Sequence, residues 1–249
     1  MSLSRRGHSY AIDGVKVPSV TKLLGEGYPK PQLVDWAARE SGDFVLNRWE
    51  ELAAMQPSER YEAVRGARFS KQREAAVRGT QVHEYAQRLS RGETIDVPEP
   101  LDPYVETYLS FAAQWEPREI MVEQAVFSRR YGYGGTFDLI ADLCDGARWL
   151  LDWKTTGKGV YPEAVLQLAA YRYAEVALGP EGEELPVPAV QRVGIVWLRG
   201  DGYDLVPIEA DESAFRVFLY AAEVARFRSA ERDDWIGDAL IPPQKERSA

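Results

Sequence analysis

The sequence predicts an α/β fold, with a mixed central β-sheet flanked by helices and preceded by an N-terminal helical segment. Two observations support this class. Three strand-like stretches, 119–128, 134–143 and 147–155, follow one another in the middle of the chain. Helical patterns precede them, and a helix, a hairpin and a closing helix follow. Elements in this order pack as helices against a sheet.

Length and composition are typical of one soluble domain with an accessory segment. The chain has 249 residues, of which 45% are hydrophobic and 28% charged, close to the averages for globular proteins. We expect one domain over 1–249. Within it we distinguish an N-terminal hairpin and helical segment (1–75), a core (76–230) and a C-terminal tail (231–249).

Charge and cysteine content exclude several classes of protein. The formal net charge of −9 disfavours non-specific adhesion to nucleic acid or anionic membranes, so any polyanion must bind locally. Cys144 is the only cysteine, which excludes an intramolecular disulfide, a four-cysteine zinc site and a cysteine-bound iron–sulfur cluster. The sequence shows neither a signal peptide nor a transmembrane stretch. We therefore expect a soluble protein without a membrane partner, in the cytoplasm of a bacterium or a phage-infected host.

The N-terminal third begins with a hairpin. Its turn is predicted at Asp13 and Gly14, and the helix after it has Ser19 or Thr21 as its cap. Glycine and proline then interrupt the chain, and apolar residues recur at helical spacing over 33–55.

A further helix starts near Ser58 and carries a basic stretch. Between Arg60 and Arg78 there are six basic residues and two acids. A charge run of this kind is most often a solvated helix face, and the alternative is a phosphate-binding surface. The six basic residues are Arg60, Arg65, Arg68, Lys71, Arg73 and Arg78.

The remaining helices and the last hairpin have clear boundaries. A helix is predicted from about Tyr104 to Trp115, and another over 161–178, opened by Pro162. A hairpin turning at 200–202 follows, and then a closing helix capped by Asp211.

Three charged residues stand out in the second and third central strands. Asp152 and Lys154 are two residues apart, so they leave the same face of their strand. A two-residue turn would point Asp138 away from Asp152. A three-residue loop, 144–146, with Gly146 in the left-handed conformation would instead place Asp138 opposite Asp152.

Two carboxylates at cross-strand distance repel each other unless a cation or a proton lies between them. Oxygen ligands favour Mg²⁺ or Mn²⁺, and an adjacent lysine suits phosphoryl chemistry. One alternative is an Asp152–Lys154 ion pair with Asp138 hydrogen-bonded to a turn. A second alternative is acid–base catalysis by two carboxyl groups, which does not require the lysine.

Four short motifs resemble those of the PD-(D/E)XK nuclease superfamily, in particular its RecB-type and phage exonuclease branch. They are "RGTQVHEYA", "GGTFDLI", "LDWKTT" and "QLAAYRYA". Each is weak alone, but their order and spacing are more specific, and the resemblance covers about 8–230. It implies a restriction-endonuclease-like core.

The resemblance also implies roles for individual residues. Lys154 would be the catalytic lysine, and Asp138 and Asp152 would act with it. Gln167 and Tyr171 would position the site or the DNA, although the polar edge of a buried helix would look the same. The implied ligands of Mg²⁺ or Mn²⁺ are His83, Glu123, Asp138, Asp152 and the carbonyl of Trp153. For His83 and Glu123 the alternatives are a surface histidine and a solvated strand acid.

The function implied by the resemblance is a divalent-metal-dependent DNA exonuclease in DNA processing, recombination or repair, of bacterial or phage origin. The DNA strand would follow the basic stretch from Arg60 to Arg78 into the site. Several relatives hold an iron–sulfur cluster, which this chain cannot. The alternative function is a non-catalytic DNA-binding or recombination-partner protein on the same scaffold.

Overall fold

The structure is a computed structural model that describes residues 2–90, 92–155, 159–230 and 235–240. The side chains at 68, 70–76, 78, 83, 86, 87 and 90 also lie outside the description. The helices are α1 (Val20–Gly27), α2 (Pro31–Asn47), α3 (Trp49–Ala54), α4 (Pro57–Ser90), α5 (Asp102–Trp115), α6 (Glu163–Arg172) and α7 (Glu212–Ser229). The strands are β1 (Leu3–Arg6), β2 (Ser9–Ile12), β3 (Val15–Val17), β4 (Arg118–Ser128), β5 (Tyr133–Asp142), β6 (Arg148–Lys154), β7 (Val176–Leu178), β8 (Glu184–Pro186), β9 (Arg192–Arg199) and β10 (Gly202–Pro207).

The strands form two sheets. The small sheet is antiparallel, in the order β1-β2-β3, and the large sheet has seven strands in the order β10-β9-β6-β5-β4-β7-β8. Strands β6 and β9 pair in parallel, and the other neighbouring strands pair antiparallel. A parallel pair needs a crossover, which α6 and the β7–β8 hairpin supply. The predicted mixed α/β fold is confirmed.

Helices cover both faces of the large sheet. Ile140 and Leu150 pack with α1, α6 and α7 on one face, whereas Leu139 and Leu151 pack with α4 and α5 on the other. Successive strand residues point to opposite faces. The even-numbered positions of β5 and β6 therefore point toward α6, which decides where the charged residues of these strands lie.

The small sheet fixes the N-terminus against the large one. Asp13 and Gly14 have φ values of 50° and 79°, which form the tight turn predicted between β2 and β3. Ser19 Oγ accepts a hydrogen bond from Lys22 N at 3.1 Å and caps α1, and Ser19 forms a parallel bridge with Gly134 of β5. Strand β1 was not predicted.

The prediction of a helix over 161–178 is wrong from residue 173 onward. The helix ends at Arg172, and the following segment becomes β7, in which Ala177 pairs with Val126 and is fully buried. The segment after β7 contains β8, which pairs with β7. Pairing with the edge of β4 overrides the helical tendency of this alanine-containing segment, since sheet packing outweighs intrinsic propensity.

No described helix combines the length and the apolar composition that crossing a bilayer requires.

Candidate active site

The turn between β5 and β6 sets the register of the charged residues. Leu143 N donates to Ala147 O at 3.0 Å, and Gly146 has a φ of 78°. This is the three-residue loop predicted from Gly146. The ladder runs from the pair Asp142 and Arg148 to the pair Leu139 and Leu151, so the next position along places Asp138 opposite Asp152.

Asp138 is tied to the backbone of the neighbouring strand. Its side chain is buried, and Oδ2 accepts a hydrogen bond from Trp153 N at 2.7 Å. The bond orients the carboxylate toward β6, at the residue between Asp152 and Lys154. It goes to a strand, not to the turn that the ion-pair alternative envisaged.

Asp152 and Lys154 form an ion pair at the end of β6. Lys154 Nζ lies 2.6 Å from Asp152 Oδ2, with the two side chains 29% and 3% exposed. Among the described residues, Oδ2 has no polar partner besides this ammonium. Burial disfavours the ammonium, but the charges of Asp152 and Asp138 outweigh burial and raise the pKa of Lys154. Lys154 is therefore a fixed cation at neutral pH.

Two polar residues of α6 complete this face of the site. Gln167 Nε2 donates to Asp152 Oδ1 at 3.1 Å and lies 3.2 Å from Tyr171 Oη. The two residues are four apart, so they share one side of the helix. Burial, followed by the charges of Asp152 and Asp138, raises the pKa of Tyr171 well above its ordinary value. The phenol therefore stays protonated and can donate a hydrogen bond.

The glycine pair before Asp138 permits two close contacts. A Cβ on Gly134 would lie 2.7 Å from Tyr10 Cβ, and a Cβ on Gly135 would lie 2.4 Å from Tyr171 Cε1. Both distances are shorter than side chains tolerate. Tyr10 Oη also lies 2.9 Å from Thr136 Oγ1. Glycine at these positions therefore lets the small sheet and α6 approach β5 beside the carboxylates.

These residues open into one cleft of about 570 Å³. The cleft contains four carboxylates against two permanent cations, a balance that favours binding of a further cation. Several lining residues were missed by the sequence analysis because the small sheet, α1 and α4 bring them in from distant parts of the chain. The newly found residues are Arg5, His8, Tyr10, Ser19, Thr21, Thr80, Glu84, Gly135 and Thr136, and the expected ones are Glu123, Asp138, Asp152, Lys154, Gln167 and Tyr171.

Glu123 lies on β4 at the same level of the sheet as Asp138 and Asp152. The pairs on either side of it are Val122 with Leu139 and Gln124 with Phe137, so Glu123 falls level with Asp138. Its φ of 48° lies in the left-handed region, which costs about 1–3 kcal/mol for a non-glycine residue. Backbone strain of this size often occurs at functional sites.

The predicted basic stretch is only partly described. Arg60 donates to the carbonyls of Leu52, Ala53 and Met55 at the end of α3, and Arg65 pairs with Glu62. Both described members thus have local structural roles. The remaining predictions on α4, which lie outside the described side chains, concern Arg68, Lys71, Arg73, Arg78 and His83.

The side chains present offer a divalent cation two facing carboxylates. Among the described side chains, no group of three or more His, Cys, Asp or Glu is arranged to hold a metal ion. Mg²⁺ is commonly held by one or two carboxylates, with water and substrate phosphate completing its coordination. The buried Oδ2 of Asp152, which contacts only the ammonium of Lys154 among the described residues, and the carboxylate of Asp138 opposite it fit this pattern.

Comparison with known proteins identifies no family for this chain. No family model and no curated protein matches the chain. Among solved structures, the chain is similar to one titled "Crystal structure of SSO0001", with 13% sequence identity over 85% of this chain and 76% of that one, and a TM-score of 0.38. Likeness at this level assigns neither a fold family nor a function.

Proposed function

We propose that this chain is a Mg²⁺- or Mn²⁺-dependent deoxyribonuclease, an exonuclease with the restriction-endonuclease-like fold of the PD-(D/E)XK superfamily. One observation carries the proposal. Asp138 and Asp152 occupy facing positions on β5 and β6, and Lys154 follows on the same face, at the wall of an open cleft. This is the acid, acid and lysine arrangement of the motifs quoted above.

The bound metal would supply an activated water and would stabilise negative charge on the phosphate. Asp138 and Asp152 would hold it through oxygen atoms. The ammonium of Lys154 would orient a water molecule or neutralise a non-bridging phosphate oxygen.

Gln167 and Tyr171 support this arrangement. Gln167 fixes one oxygen of Asp152 through its hydrogen bond of 3.1 Å, which leaves the other oxygen directed at Lys154. Tyr171 keeps its proton, so its O–H group can donate a hydrogen bond to an oxygen of the substrate. Glu123, level with Asp138 and lining the same cleft, is a further carboxylate that would help to hold the metal.

The ion-pair alternative and the nuclease are compatible. An Asp152–Lys154 contact neutralises a buried carboxylate while no cation is bound, and a divalent cation would share or displace it. Action on DNA ends in processing, recombination or repair, in the cytoplasm of a bacterium or an infected host, rests on the motif resemblance. A non-catalytic DNA-binding or recombination-partner protein is the second candidate on the same scaffold.

The test is a cleavage assay with end-labelled linear and circular DNA, single- and double-stranded, in Mg²⁺, Mn²⁺ or EDTA. We expect metal-dependent shortening of linear DNA, loss of activity in EDTA, and loss in Asp152→Asn and Lys154→Met. Asp142→Asn is the control, because Asp142 lies on β5 outside the cleft. Normal cleavage by Asp152→Asn and Lys154→Met would overturn the mechanism, and DNA binding without metal-dependent products would favour the non-catalytic candidate.

A further inference from the structure

The wall of the cleft that the small sheet forms is chemically different from the wall that carries the carboxylates. It contributes Arg5 from β1 and His8 from the turn between β1 and β2. Hydroxyl groups of Ser19 and Thr21 lie beside them, 3.1 Å apart. Cationic and donor groups thus line one side of a cleft whose other side is acidic.

Two backbone carbonyls hold the guanidinium of Arg5 and leave some of its N–H donors available. Its Nε donates to Gly7 O at 2.9 Å and its Nη1 to Glu123 O at 3.2 Å. Among the described residues Nη2 has no hydrogen-bond partner. A guanidinium has five N–H donors in a rigid fork that matches phosphate oxygens. Two backbone contacts that leave a further nitrogen available therefore preorganise Arg5 for an anion.

The strained residue of β4 is part of the same arrangement. Glu123, in the left-handed region, presents the carbonyl that anchors Arg5 and lies level with Asp138. The anchor of Arg5 is thus one strand away from a proposed metal-binding acid. An anion on Arg5 would lie in the cleft that the carboxylates share.

We propose that Arg5 and His8 form a phosphate-binding subsite that holds a phosphate of the DNA strand beside the one being cleaved. This inference rests on the proposed function, which supplies the strand. The ammonium of Lys154 and the metal would act on the reacting phosphate. Arg5 and the ring N–H of His8 would position the strand, so their removal should affect binding more than chemistry.

The test measures DNA binding by Asp152→Asn, in which cleavage is blocked, using fluorescence anisotropy over about 50–200 mM salt. In this background we expect Arg5→Ala to weaken binding about 10-fold and to reduce the slope of log K against log salt by about 0.7–0.9. The matched control is Arg6→Ala, on the same strand with the same loss of charge but outside the cleft, and it should leave the slope unchanged. In the active protein, Arg5→Ala should raise KM with kcat little changed.

A second variant keeps the inference testable if Arg5→Ala alters the fold. His8 is exposed at a tight turn, so His8→Ala should preserve folding and should weaken binding in the same direction.

A 5′-phosphorylated and a 5′-hydroxyl oligonucleotide separate the two sources of phosphate. A loss of binding restricted to the phosphorylated oligonucleotide assigns the subsite to a terminal phosphate, and an equal loss for both assigns it to an internal one. If wild type cleaves DNA but Arg5→Ala and His8→Ala bind like Arg6→Ala, the subsite is wrong and the nuclease stands. If wild type neither binds nor cleaves DNA, both proposals fail.

Discussion

The carboxylate of Asp138 accepts a hydrogen bond from the backbone N–H of Trp153 at 2.7 Å. The regular backbone ladder between β5 and β6 ends at the pair Leu139 and Leu151, which is next to Asp138 and Asp152. Beyond this pair, the side chain of Asp138 accepts the hydrogen bond that a backbone carbonyl would otherwise accept. This bond fixes the strand segment that carries both Asp152 and Lys154. Asp138 therefore has a structural role that can be separated from its proposed chemical role.

The first prediction separates these roles by comparing two substitutions of Asp138. Asp138→Ala leaves the buried N–H of Trp153 without an acceptor and should lower the free energy of unfolding by about 1–3 kcal/mol. Asp138→Asn keeps an oxygen acceptor and should cost less, yet both variants should lose metal-dependent cleavage because both remove the charge. Urea unfolding and the cleavage assay measure the two effects, and equal destabilisation by both variants would contradict the structural role.

The second prediction concerns the ion pair on β6. Lys154→Met leaves the Asp152 carboxylate, 3% exposed, without its cation. Breaking a buried pair costs about 3–5 kcal/mol, and we expect about 3 kcal/mol because the lysine is partly exposed. The double variant Asp152→Asn/Lys154→Met removes both charges and should regain most of that loss.

A double-mutant cycle in urea measures this coupling. The matched control is the exposed pair Arg48 and Glu51, each 48% exposed, for which we expect about 0.2–1 kcal/mol. Coupling in the Asp152–Lys154 cycle no larger than in the control would show that the two charges do not depend on each other.

The sequence offered two registers for the central hairpin, and local turn chemistry decides between them. Gly146 accepts the left-handed conformation that a three-residue loop requires. Because alternate residues of a strand share one face, Asp138, Asp152 and Lys154 then lie on the same face of the sheet. Gln167 and Tyr171 were predicted from the motif resemblance, and their spacing of four explains why both lie on one side of α6.

The remainder of the cleft depends on contacts that no local pattern carries. Tyr10 meets Thr136 across 126 positions of the chain, and this docking brings Arg5 and His8 to the carboxylates. The glycines at 134 and 135 were the available signal, because two adjacent glycines in a buried strand indicate close approach. Strand β7 was mispredicted because its edge pairing with β4 is also a tertiary effect.

The third prediction tests the close approach at Gly135. In Gly135→Ala the new Cβ would lie 2.4 Å from Tyr171 Cε1, and overpacking of this kind costs about 1–3 kcal/mol. The ring must move, so the contact of Tyr171 with Gln167 should also be lost and cleavage should fall. Gly42→Ala, on α2 with open space around it, is the control and should be neutral or stabilising by up to about 1 kcal/mol. Thermal unfolding measures the stability of both variants. Equal unfolding midpoints for Gly135→Ala and Gly42→Ala would contradict the close contact between Gly135 and Tyr171.

The fourth prediction is the pH dependence of stability from Asp142. Hydrogen bonds from Arg148 and then Arg118 lower its pKa from 3.8 to about 2. The folded state therefore favours the charged carboxylate. Its contribution to the free energy of unfolding is fully present above the unfolded pKa and is lost as the pH falls through the folded one.

Asp142→Asn keeps the shape of the side chain and removes the titration. We expect the difference in free energy of unfolding between wild type and Asp142→Asn to be constant above about pH 5 and to shrink steadily toward about pH 2. Urea unfolding at a series of pH values measures it. Because Asp142 lies outside the cleft, cleavage at neutral pH should be unchanged in the same variant. A difference that stays constant down to pH 2 would show that the two arginines do not favour the ionised carboxylate in the folded state.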